Sequence, residues 1–142
     1  MLYVVGVSAD REMAVERYDL KAKKWSTLHA VPRQRFGCAA AMVSGAIYVL
    51  GGHDGEKAVA ESERFDPLRG SGCWEPLPAA PTARHGCAAV AANGKLYLLG
   101  GEPHKNRSLA TAECYDPTRR AWSELAPVPT GRFGCAAAAA WR

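Results

Sequence analysis

No stretch of this sequence approaches the run of about 20 apolar residues needed to cross a bilayer as a helix. The apolar segment Met1-Leu2-Tyr3-Val4-Val5-Gly6-Val7 is short and has no basic residue before it, so it reads as a strand and not as a secretory signal. Membrane attachment and export are not expected. Runs of one charge are also missing: 18 basic and 14 acidic residues leave a net +4, spread singly or in pairs. The densest group, Lys21-Ala22-Lys23-Lys24, is short enough to be a solvated turn, so no nucleic-acid partner is expected. The five cysteines are odd in number and never spaced Cys-x-x-Cys, which leaves zinc, redox and disulfide frameworks without support. They read as reduced thiols serving as small apolar residues in a cytoplasmic protein. Sustained helical periodicity is absent as well.

What the sequence does have is repetition. With 48% apolar and 23% charged residues the composition is that of a globular domain, and the apolar residues recur in register. Trp25, Trp74 and Trp122 lie at intervals of 49 and 48 residues; Cys38, Cys87 and Cys135 keep the same intervals. So do Arg35, Arg84 and Arg132, each followed two residues later by glycine, and Gly51-Gly52 recurs as Gly100-Gly101.

Within a period the local signals are strands and turns. Cys38–Val43 and Cys87–Ala91 are short runs of small apolar residues that meet Ser44-Gly45 and Asn93-Gly94, the second a strong hairpin signal. Ala46–Leu50 and Lys95–Leu99 follow as buried strands stopped by the double glycine. After a polar loop come Glu61–Phe65 and Ala112–Tyr115, ended by Asp66-Pro67 and Asp116-Pro117, and then Trp74–Leu77 and Trp122–Leu125. Four antiparallel strands per unit of about fifty residues describe a propeller blade. Cys135–Ala140 could be read as an Ala-rich helix, but its counterparts at 38 and 87 end in hairpin turns, so it is expected to be a strand.

The ordered set of Gly51-Gly52 and Gly100-Gly101, the aromatic-Asp pairs Tyr18-Asp19, Phe65-Asp66 and Tyr115-Asp116, and the trailing Trp25, Trp74 and Trp122 resembles the kelch-repeat family over essentially the whole chain. The resemblance implies an all-β fold, a partial kelch-type β-propeller of about three four-stranded antiparallel blades. The expected division is a partial blade over 1–34 lacking its first strand, full blades over 35–83 and 84–131, and the first strand of a further blade over 132–142. Where a double glycine is expected in the first unit, the sequence has Gly6-Val7. Twelve strands make three blades, fewer than the roughly four a closed ring needs. Either the chain is part of a longer one, or two copies close head to tail into a homodimer with a six-blade ring.

Each recurring motif has a structural use: glycine for close approach, the aromatics for buried area between strands. In kelch domains the loops entering each first strand and those joining the second and third strands open on one face, and the resemblance makes that face the expected partner-binding surface. Candidate binding residues there are Arg35, Arg84 and Arg132, which would grip an acidic peptide segment by bidentate hydrogen bonds or else order their own loops. The non-repeated His53, Asp54, His85, His104 and Arg107 are candidates for specificity. The four histidines have no metal-ligand spacing, so no catalytic residue, metal or cofactor is expected. The resemblance thus points to a protein-interaction module, in the manner of the substrate-recognition part of a cullin-type ubiquitin ligase adaptor or an actin-associated scaffold. A kelch-fold oxidase or sugar isomerase is the alternative, since fold alone does not exclude an enzyme.

Overall fold

The computed structural model describes residues 1–8, 12–28, 31–69 and 73–140. His29, residues 9–11 between the first two apolar segments, residues 30 and 70–72, and Trp141-Arg142 lie outside the described residues. Among those described there is no helix, and three antiparallel sheets follow one another along the chain. The first holds β1 (Leu2–Val7), β2 (Met13–Asp19) and β3 (Lys24–Thr27). The second holds β4 (Ala39–Val43), β5 (Ala46–Leu50), β6 (Ser62–Phe65) and β7 (Trp74–Leu77). The third holds β8 (Ala88–Ala92), β9 (Lys95–Leu99), β10 (Ala112–Asp116) and β11 (Ala121–Leu125). Neighbours in sequence are neighbours in each sheet, which makes a partial propeller without a closed ring.

Turn chemistry sets the register. Ser44-Gly45 and Asn93-Gly94 have positive φ at both positions, the requirement of a two-residue hairpin loop whose twist matches its strands. These turns pair Val43 with Ala46 and Ala92 with Lys95. At the next corner the aromatic-Asp dipeptide splits its work. The aromatic residue stands opposite the following tryptophan, giving Tyr18–Trp25, Phe65–Trp74 and Tyr115–Trp122 ring pairs at 4.9, 5.1 and 5.1 Å. The aspartate accepts from backbone N–H groups of the turn, Asp19 from Lys21 and Ala22, and Asp116 from Thr118 and Arg119. Those N–H donors hold the Asp19 and Asp116 carboxyls below the usual carboxylate range.

Alternation along β5 builds two cores from one strand. Ile47 and Val49 join Met13, Val15, Val31 and Phe65 against the first sheet, while Tyr48 and Leu50 join Val43, Leu96, Leu98 and Tyr115 against the third. Full burial of one such side chain contributes about 1.5–3 kcal/mol. The first sheet is covered on one side only: Tyr3, Val5 and Val7 pack inward, and Leu2 and Val4 remain about half exposed.

Consecutive sheets are stitched at the double glycine. The Gly52 N–H donates to the Arg84 carbonyl at 2.8 Å, and Gly101 repeats the bond to Arg132 at 2.7 Å. A Cβ on Gly101 would stand 2.7 Å from the His85 carbonyl oxygen and 3.0 Å from the Cys87 Cβ, so only glycine lets both linkers pass.

Cys135–Ala140, expected as the first strand of a further blade, is not paired as a strand within this chain. Its path starts as those of β4 and β8 do, with Gly134 N–H donating to the Gly86 carbonyl as Gly86 donates to Gly37. Beyond that point no described strand lies beside it, and without a ladder partner its backbone groups form no sheet.

Candidate functional site

The repeated arginines come first, because two of them are not where a partner could reach them. Arg35 and Arg84 are 2% and 0% exposed. The Arg84 guanidinium donates to the carbonyls of Gly100 and Thr111 at 2.7 and 3.0 Å, to Thr111 Oγ1 at 2.9 Å and to Glu113 Oε1 at 2.8 Å. Arg35 does the same one blade earlier, to the carbonyls of Gly51 and Glu61 and to Glu63 Oε2 at 3.0 Å. Each closes the ends of the second and third strands of its own blade. Neither belongs to a partner-gripping ring: both guanidiniums are buried with their terminal nitrogens bonded inside the blade, and loop ordering is the role the geometry supports. Arg132 differs, being exposed and without an ion-pair partner among the described residues.

The linkers carrying these arginines run edge to edge with the loops after the double glycines. Phe36 and His53 exchange backbone hydrogen bonds at 2.9 and 2.8 Å, and His85 and Glu102 exchange theirs at 3.1 and 2.9 Å. The two loop sets therefore share one rim. On it the His53 and His85 rings meet edge to face at 5.0 Å, and His85 meets Phe133 the same way at 5.3 Å. The Phe133 ring lies on the backbone of Gly86, where a Cβ would collide with it. Phe133 stays 50% exposed at one end of this row, and Phe36, backbone-paired with His53, 46%, which gives the rim an aromatic ridge.

Beside the ridge lies an open depression of about 390 Å³ lined by His53, Glu56, Lys57, His85, Glu102, Pro103, His104 and Lys105. His85 Nε2 stands 3.8 Å from Glu102 Oε1 at its floor. Of the expected specificity residues, His53, His85 and His104 are brought together here. Asp54 is not: its Oδ1 accepts from the N–H groups of Lys57 and Glu56, which hold its carboxyl below the usual range, and it lines a smaller recess beside Arg33 and Arg35. Arg107 is exposed outside the depression. Glu102 and Phe133 belong to the rim without having been singled out; the signal for Phe133 was its place directly after a repeated arginine, shared with Phe36 and His85.

Among the described residues no three His, Cys, Asp or Glu side chains converge as metal ligands. Burial pushes the Cys87 thiol up to about 12 and raises Cys38 as well, which keeps both protonated and unreactive at neutral pH.

Sheet order, the stitched double glycines and the loop rim together describe a run of propeller blades, and residues 2–141 match the KLHDC2/KLHL20/DRC7 Kelch-repeats domain. The chain belongs to the kelch-repeat family. Kelch-repeat domains are generally protein-interaction scaffolds. The chain is also similar to an F-box/kelch-repeat protein of Arabidopsis thaliana, 40% identical over 53 residues; the match covers 36% of this chain and 13% of that protein's length. No helix among the described residues is long and apolar enough to cross a membrane.

Proposed function

We propose that this kelch segment is a non-enzymatic recognition module whose loop rim holds an acidic segment of a partner protein. The observation that carries this is a ring row, His53, His85 and the half-exposed Phe133, beside a depression lined by Lys57 and Lys105 together with Glu56 and Glu102. Rings supply large contact area at low entropic cost, and the Lys57 and Lys105 ammonium groups offer partners to carboxylates, while Glu56 and Glu102 fix where along the rim those carboxylates can sit. An enzymatic role gains no support from the same residues, because the depression is open to solvent and its lining includes no Ser, Thr or Cys beside the histidines.

Within this class, recruiting substrates to a cullin-type ubiquitin ligase is the role we favour over actin scaffolding. Support comes from the relative named for both an F-box and kelch repeats, an arrangement that joins recognition to a second module. A cytoplasmic location fits the absence of any disulfide among the described residues. We also read the 132–142 segment as the opening of a further blade and a homodimeric six-blade ring as one way to close the propeller.

Selection of random peptides against the 142-residue chain tests the recognition role. Enriched peptides should carry Asp or Glu beside an aromatic residue and lose binding to a K57E/K105E variant. Peptides that bind that variant and wild type equally would sink the proposal.

A further inference from the structure

We infer that Arg132 and Glu16 are the two halves of a third core ion pair, completed between two copies of the chain. This rests on the reading of the propeller as closed by a second copy and assigns the residues that would close it.

The repeat supplies the geometry. Glu63 and Glu113 each stand two residues before the aromatic of the aromatic-Asp pair, and Glu16 stands two before Tyr18. In the second and third sheets this glutamate is bound by the arginine that precedes the blade's first strand, at 3.0 and 2.8 Å. Both of those arginines also donate to the carbonyl of the first glycine after the second strand, Gly51 or Gly100. Gly6 holds that place in the first sheet.

Among the described residues the first sheet has the acceptors and lacks the donor. Glu16 is exposed, and a groove of about 160 Å³ lined by Val4, Gly6, Ala14 and Glu16 lies on the same side of the sheet. Among the described residues nothing pairs with the outer edge of β1. At the other end of the molecule Arg132 is exposed, and the small residues Cys135–Ala140 after it have no ladder partner. Among the described residues the donor lacks a glutamate and the glutamate lacks a donor, and the segment after the donor has the composition of β4 and β8.

Seating Arg132–Ala140 of one copy along β1 of another gives the first sheet a fourth strand and brings the guanidinium to Glu16. It also covers Leu2 and Val4. Because head meets tail, the contact is heterologous, and two copies of three blades each close a ring. The charges are complementary, and the same pair exists twice inside the chain as a template.

Analytical ultracentrifugation of the 142-residue chain and of E16R and R132E variants decides it. Wild type should sediment as a dimer, and each variant alone should weaken dimerisation by about 100-fold or more, since every interface then opposes like charges. An equimolar mixture of the two variants should recover a 1:1 dimer, because both of its interfaces again join Arg to Glu; that recovery also shows both variants folded. Variants that each remain dimeric, or a mixture that stays monomeric, would overturn the ion-pair assignment while leaving dimerisation as such standing. A wild-type monomer at all concentrations would overturn both and return the edge of β1 to a neighbouring blade of a longer chain.

Discussion

The Arg84 guanidinium and the Glu113 carboxylate meet at 2.8 Å with both side chains withdrawn from solvent. Removing one partner leaves a buried charge unpaired. Glu113→Ala should therefore lower the unfolding free energy by about 3–5 kcal/mol. Replacing both residues with apolar ones of similar size should recover most of that loss. Glu63→Ala should cost less, because the Glu63 side chain retains 10% exposure and water can reach the site. Urea unfolding measures all three, and an E113A variant as stable as wild type would show the pair to be dispensable.

That pair also marks where the sequence stops being informative. The strands around it were legible: Ala46–Leu50, Trp74–Leu77 and Lys95–Leu99 form where alternation and turn residues place them. The three arginines were equally visible as a period. Whether such a period lies on a surface or in the core depends on a partner far along the chain, and Glu113 comes 29 residues after Arg84. Local pattern carries no sign of that contact. The ring row was half legible for a related reason, since His85 and Phe133 come from different blades and meet only once the sheets are packed. Cys135–Ala140 shows the converse, a strand-like sequence that forms no strand without a neighbour.

The thiols predict a pH dependence. Folding raises Cys87 from the ordinary 9.0 to about 12 because burial penalises the thiolate, so the folded chain holds this proton more tightly than the unfolded one. Its contribution to stability is fully present below pH 9 and declines as pH rises from 9 towards 12. Urea midpoints should fall over that range, and Cys87→Ala should remove part of the fall. At pH 8 alkylation of the native protein should label the exposed Cys73 and spare Cys87; equal labelling would contradict the burial.

Two glycines of similar φ should respond differently to alanine. Gly94→Ala meets open space and bears only the strain of φ +71°, about 1 kcal/mol. Gly101→Ala adds a collision with the His85 carbonyl and the Cys87 Cβ, and should cost about 3 kcal/mol or more. Thermal unfolding of the pair separates turn strain from crowding between linkers.

Phe133→Ala should leave stability within about 1 kcal/mol, since half of the ring is already in water. Binding of rim-selected peptides should weaken by about tenfold, the scale of a ring anchor at an interface. Calorimetric titration of one such peptide into both proteins gives the comparison, and an unchanged affinity would remove Phe133 from the recognition surface.

The stitch from each double glycine to the next arginine has a direction. Gly52 waits for the carbonyl of Arg84, and Gly101 for that of Arg132. During synthesis, then, a blade whose four strands have all emerged still lacks this backbone bond until the following linker leaves the ribosome. Propeller assembly in this chain should therefore lag by one linker, with the youngest blade still short of that bond.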